Sequence, residues 1–176
     1  MDYAIVLYMN DENTAMVNSM IKELAPECGS DYCLGIVPHV TISAIISDDE
    51  DAVKTAARDL SKKLTRGELK IASIGIFNPL VLFLAPIVDS YLIKSSQIAN
   101  DTMLEVSEIG NKGRYIPNSW VPHMAVAMKM EKEGLYKGFK RLSEIFTPFC
   151  AELDKMALLK WEENNPYQEL AVYDLQ

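Results

Sequence analysis

Val37-Pro38-His39-Val40-Thr41-Ile42-Ser43 is echoed by Val121-Pro122-His123-Met124-Ala125-Val126-Ala127. The two histidines lie 84 residues apart, close to half of the 176-residue chain, and the chain has no others. Similarity at a fixed offset points to a duplicated unit. Both copies fall in apolar runs, 36–46 and 120–130, that read as strands. Side chains alternate faces along a strand. His39, Thr41 and Ser43 are therefore expected on one face, with Val40 and Ile42 opposite. His123, Ala125 and Ala127 likewise oppose Met124, Val126 and Met128. An imidazole beside small side chains suggests a groove with room for a ligand. The competing reading is that Pro-His is only a retained strand start of a duplicated scaffold.

Outward from these strands, helical and extended periods alternate. Tyr3 to Met9 reads as a buried strand. Met16, Met20 and Leu24 recur at helical spacing over 11–25, with Asn10 or Asp11 as the cap. Residues 26–35 read as a loop. The acids Asp48 to Asp51 open a second helix, where the macrodipole favours negative charge, and Gly67 is expected to end it. That reading is preferred to a metal site. Leu69 to Phe77 and Leu80 to Ala85 flank Asn78-Pro79 as a hairpin. Asp89 or Ser90 caps a helix expected to reach about Ile109, with Leu92, Ser96, Ala99, Met103 and Val106 on one side and Gly110 at its C′ position. Residues 110–117 form a loop. Leu135, Phe139, Leu142 and Ile145 mark a fourth helix. Cys150 to Trp161 and Tyr167 to Leu175 read as a hairpin around Asn164-Asn165-Pro166. No linker divides the chain, so 1–176 is expected to be one domain of two pseudo-symmetric lobes, with His39 in one and His123 in the other.

Composition limits what such a domain can do. Hydrophobic residues are 49% and charged residues 24%, enough for a packed core. The net charge is −8, with 12 acids against 7 bases in residues 1–88 and 13 against 10 in 89–176. Neither half is basic, which argues against a tight grip on long nucleic acid but leaves room for a nucleotide or a short RNA end. The first residues carry no targeting signal, and the longest apolar run, Pro79 to Val88, is half of what a membrane span needs. Three cysteines, Cys28, Cys33 and Cys150, match neither a disulfide framework nor a zinc site. A cytoplasmic protein with reduced thiols is the expectation.

The paired motifs resemble those of the two-histidine (2H) phosphoesterase superfamily, which includes 2′-5′ RNA ligase-like proteins and 2′,3′-cyclic nucleotide phosphodiesterases. Its pattern is His-x-Thr/Ser followed by an apolar residue, twice. His39-Val40-Thr41-Ile42 fits in full, whereas in His123-Met124-Ala125-Val126 an alanine stands where the family has a hydroxyl. The resemblance implies an α+β fold: a bilobal duplicate whose two mainly antiparallel sheets face a central cleft, with helices outside. It implies catalysis by His39 and His123 without metal or other cofactor.

The chemistry suits imidazoles. Opening a cyclic phosphodiester is an in-line displacement in which one group deprotonates the nucleophile and another protonates the departing ribose oxygen. Imidazole, with an ordinary pKa near 6.5, can do either. Hydroxyls two residues after each histidine can donate to the non-bridging oxygens. By analogy with oxyanion holes, losing such a donor costs about 2.7–4 kcal/mol. Ala125 cannot donate. Either another group supplies the bond, or the site is weakened, or Thr41 holds the phosphate alone. The candidate substitutes are Ser43, Ser119, Lys112, Arg114 and Tyr115, the last three in the loop before the second histidine. Trp120 is a candidate for stacking a base. The expected function is phosphoesterase action on a cyclic phosphate or 2′-5′ linkage of a nucleotide or short RNA end, hydrolytic or, in reverse, ligating. The alternative is a degenerate module that binds a phosphorylated ligand without turnover.

Overall fold

A computed structural model describes residues 2–77, 80–161 and 167–176. The expected turns at Asn78-Pro79 and Asn164-Asn165-Pro166 lie outside the described residues. Eight strands and four helices follow in the order β1 (Asp2–Met9), α1 (Asp11–Cys28), β2 (His39–Ile46), α2 (Glu50–Ser61), β3 (Gly67–Phe77), β4 (Val81–Pro86), α3 (Ser90–Met103), β5 (Glu108–Ile109), β6 (Met124–Met128), α4 (Lys132–Ile145), β7 (Phe149–Trp161) and β8 (Gln168–Asp174). This is the α+β class expected.

Three helices begin where short polar side chains can hold orphan backbone N–H groups. Asn10, Asp49 and Asp89 accept from the backbone of Asn13, Ala52 and Leu92 at 2.9, 2.9 and 3.0 Å. Each such cap contributes about 1 kcal/mol. The acidic run at 48–51 is thereby a helix start. Helix ends follow tertiary contacts instead. Helix α1 runs through Pro26 to Cys28, because Leu24, Ala25 and Cys28 are buried and Gly29, in the left-handed region, closes the last turn onto Ala25. Helix α2 stops at Ser61, and Gly67 opens β3 instead of ending the helix. Helix α3 stops at Met103, not Ile109, because Glu108 and Ile109 pair with Ile46 and Ile45 as an edge strand.

All strand pairs are antiparallel, in the order β5-β2-β1-β7-β3-β4-β6, with β8 also on β7. Where two sheets were expected, one hydrogen-bonded sheet is found, because the 13-residue β7 is long enough to belong to both parts. One of its sides pairs with β1. Its other side pairs with β3 over Phe149–Leu153 and with β8 over Lys155–Lys160. Strand β1, between β2 and β7, is covered on both faces. Ile5 and Leu7 enter the main core, while Val6 and Tyr8 join a second cluster with Ala157 and Leu159. Hence β1 reads as a continuous apolar run.

Strands β2 and β6 lie far apart in the sheet order, yet they touch. The sheet therefore curls until β2, beside the edge strand β5, meets β6 at the other edge. His39 opens β2 and His123 immediately precedes β6.

Candidate active site

Each histidine follows a Val-Pro pair, and the local consequence is the same. Proline has no N–H to give a sheet ladder. The carbonyl before it is free, and the imidazole folds back onto it. His39 Nδ1 lies 2.8 Å from the Val37 carbonyl oxygen, and His123 Nδ1 lies 2.8 Å from that of Val121. A carbonyl only accepts, so Nδ1–H is the donor in both rings and Nε2 is left as the proton-accepting nitrogen of the neutral form. The arrangement also explains why β2 starts at His39 rather than Ile36, and β6 at Met124 rather than Trp120.

Aromatic rings flank both imidazoles. Tyr8 and Tyr167 stand edge-on to His39, with centroids 6.2 and 5.9 Å away. Phe77 and Phe83 stand edge-on to His123 at 4.8 and 5.6 Å, and Tyr115 lies tilted against it at 6.1 Å. Gly75, paired with Phe83 across the β3–β4 hairpin, makes room for that ring: a Cβ there would run into it. Burial among these groups pushes both imidazole pKa values below the ordinary 6.5. The bond to the upstream carbonyl opposes the shift in each, and the charge of His123 adds to it for His39.

Both histidines line one cavity of about 690 Å³, together with Thr41, Arg114, Tyr115 and Ala125. That volume suits a small organic ligand. Much of the remaining wall is apolar, and among the described residues Arg114 is the one Lys or Arg in it. No group of three His, Cys, Asp or Glu among the described residues could hold a metal ion. Among the described residues, no helix is long and apolar enough to cross a membrane.

Residues 12–165 match the family model of the 2′-5′ RNA ligase superfamily. The chain belongs to this superfamily of 2H phosphoesterases. E. coli LigT, in its complex with 3′-AMP, has a similar fold: TM-score 0.65 at 10% identity over 98% of this chain and 97% of that one. TT0787 of Thermus thermophilus gives 0.64 at 14% identity, over 99% and 98%. Kluyveromyces marxianus Usb1 gives 0.51 at 8% identity, over 96% of each chain. Curated protein sequences gave no match. Membership of the 2H superfamily implies phosphoesterase or ligase-like activity.

Within this 2H fold, three of the site residues expected from sequence lie away from the cavity wall. Ser43 is fully buried and donates through Oγ to Asn100 Oδ1 at 3.2 Å. The cause is a β-bulge. Ile5 and Val6 of β1 face Ser43 and Thr41, so Ile42 is an extra residue and the alternation slips there. Thr41 stays with His39 in the cavity, while Ser43 turns toward α3. Strand β6 has its bulge at the same place: Leu82 and Phe83 face Ala127 and Ala125, leaving Val126 extra. In both strands the extra residue comes three after the histidine. Lys112 is exposed in the turn Asn111–Gly113, where its φ of 53° is left-handed, and it is not part of the wall. Trp120 packs against the main core and also lies outside the wall. His39, Thr41, Arg114, Tyr115 and His123 are brought together.

Sequence reasoning missed Asn100 and the aromatic flanks other than Tyr115. The bulge leaves the Ile42 carbonyl outside the ladder, and it accepts from Ser96 Oγ at 3.0 Å and Asn100 Nδ2 at 3.1 Å. Asn100 Nδ2 also donates to the Tyr115 carbonyl at 3.2 Å. The available signal was a polar residue one helical turn after Ser96, on the buried side of α3.

Proposed function

We propose that the chain is a metal-independent phosphoesterase that opens 2′,3′-cyclic phosphates, or 2′-5′ linkages, of nucleotides or short RNA ends, with His39 and His123 as the acid–base pair. The observation that carries this reading is the equivalence of the two imidazoles. Each is fixed by the carbonyl two residues upstream, and both line one cavity.

One imidazole takes the proton of the attacking water through Nε2 as it adds in line to phosphorus. The other, protonated at Nε2, gives its proton to the departing ribose oxygen. The bond from water oxygen to phosphorus forms as the ester bond breaks, and the protons on the two imidazoles have exchanged. With a 5′-hydroxyl in place of water as the nucleophile, the same ring opening joins two nucleotides and is ligation. Each positioned acid or base contributes about 10²–10⁴ in rate. Thr41 and Arg114 hold the non-bridging oxygens. A wall with one Lys or Arg among the described residues, in a chain of net charge −8, suits a compact substrate with a single phosphodiester charge better than long RNA. LigT, crystallised with 3′-AMP and with NADP+, supports a nucleotide as the ligand class.

The matched carbonyl bonds and bulges of β2 and β6 support reading the chain as one domain of two pseudo-symmetric lobes. The test of function is hydrolysis, in EDTA, of the four nucleoside 2′,3′-cyclic monophosphates, a short RNA with a cyclic-phosphate end and a 2′-5′ dinucleotide. Turnover of at least one is expected. Binding of 3′-AMP without turnover of any would favour the second reading, a binding module, for which Ala125 is the specific observation.

A further inference from the structure

The two halves of the cavity differ in one respect that matters to a phosphate. On β2 a hydroxyl, Thr41, follows His39 by two residues and lines the cavity. On β6 the same position is Ala125, which lines the cavity without a donor. A phosphoryl group reacting between two imidazoles develops charge on both non-bridging oxygens, so an empty second position leaves one of them poorly held.

Of the five groups that could supply the missing donor, Ser43 is buried against α3 and Lys112 is not in the wall. Arg114, Ser119 and Tyr115 remain. Arg114 and Ser119 are exposed, whereas Tyr115 is half-buried. Tyr115 is placed between groups of both halves. Its ring lies against His123, and it lines the cavity beside Thr41, whose side chain acts on its hydroxyl. It also lies near Tyr167, which stands edge-on to His39. Burial raises the phenol pKa, so Tyr115 keeps its proton and remains a donor at neutral pH.

Its backbone is held from the β2 side. At the start of the loop, the Gly110 N–H donates to the Ala44 carbonyl at 2.9 Å. A Cβ at Gly110 would come within 2.7 Å of the Ile45 nitrogen, so only glycine lets the loop approach this closely. Further along, Asn100 joins the Tyr115 carbonyl to the Ile42 carbonyl freed by the bulge. The orientation of that amide is set, because Ser43 donates to its oxygen and three carbonyls accept from its nitrogen.

Resting on the phosphoesterase reading above, we propose that the Tyr115 hydroxyl replaces the donor that Ala125 lacks, and that Asn100 is the positioning residue that holds it there. The β2 half thereby supplies both hydroxyls of the site, one along its own strand and one through a loop that it anchors.

The test uses Tyr115→Phe, Tyr115→Phe/Ala125→Thr, Asn100→Asp and Tyr115→Phe/Asn100→Asp. Hydrolysis of uridine 2′,3′-cyclic monophosphate and calorimetric binding of inorganic phosphate are measured for each. Tyr115→Phe is expected to lower kcat by about 10²-fold with a much smaller change in KM. Adding Ala125→Thr is expected to recover most of that loss, since threonine suits a strand and restores a hydroxyl beside His123. Asn100→Asp keeps the acceptor for Ser43 but loses the donor to Ile42 and Tyr115. It is expected to lower kcat, and to add little once Tyr115 is already Phe. Wild-type kcat in Tyr115→Phe, or a loss that Ala125→Thr does not recover, would overturn the proposal. Asn100→Asp and Tyr115→Phe losses that multiply would overturn the role of Asn100. Should the wild type hydrolyse no cyclic phosphate, the phosphoesterase reading fails separately. The same variants then decide the donor by phosphate affinity: weakened by Tyr115→Phe and recovered by Ala125→Thr, or unchanged, which overturns it.

Discussion

His39 and His123 hold the same pose: each Nδ1 is 2.8 Å from the carbonyl oxygen two residues upstream, and both rings line one cavity. The pose fixes the tautomer, and the surrounding rings fix the direction of the pKa shifts. Both values lie below 6.5 in the free protein, with burial as the main cause. Acid–base catalysis needs one imidazole protonated and the other bare, so the rate is greatest between the two values. The kcat/KM profile, which reports the free enzyme, is therefore expected to be a bell with its maximum on the acidic side of 6.5. A plateau running from pH 7 to pH 9 would contradict this.

The same shifts make stability depend on pH. Below 6.5 the unfolded chain takes up protons that the buried imidazoles of the native state resist, so stability falls as pH falls from 6.5 toward the folded-state values. Above 6.5 this contribution is absent. Glu50 acts in a lower window. Its bonds to Lys54 and Lys160 hold its pKa down at about 2, and the stability it contributes is lost as pH falls through 4.5 toward 2. Thermal unfolding between pH 7 and pH 5 is expected to show a declining Tm, less steep in His39→Gln/His123→Gln.

Two cations in one short loop are expected to behave differently. Arg114 lines the cavity and Lys112 does not. Arg114→Ala is expected to raise KM for a cyclic nucleotide by about tenfold or more, the scale of losing a charged hydrogen bond. Lys112→Ala is expected to leave kcat and KM within about twofold of wild type. Steady-state kinetics on both variants checks the distinction.

Ser43 is expected to matter to stability. Ser43→Ala removes the donor to the buried Asn100 oxygen, which costs about 1–3 kcal/mol. Urea denaturation should show that loss as a lower midpoint with an unchanged slope.

How far this site was legible in the sequence depends on which strand one follows. The 84-residue offset located both histidine strands, and the caps at Asn10 and Asp89 and the helix start at 48–51 were legible because such signals are local. The bulges at Ile42 and Val126 were not legible, since each is set by a partner strand, β1 or β4. With the first bulge went the placement of Ser43. The end of α3 was misjudged for a similar reason: Glu108 and Ile109 carry no strong strand signal and are extended by the edge of β2. Joining of the sheet through β7 follows from which residues pair with each side of one long strand, which periodicity does not encode.

The most direct test of the central claim is single-turnover hydrolysis of a nucleoside 2′,3′-cyclic monophosphate, in EDTA, by wild type, His39→Ala, His123→Ala and the double variant. Two imidazoles acting on one phosphorus predict that each single variant loses about 10²–10⁴ in rate and still binds 3′-AMP. Full activity in either single variant, or wild-type activity abolished by EDTA, would contradict it.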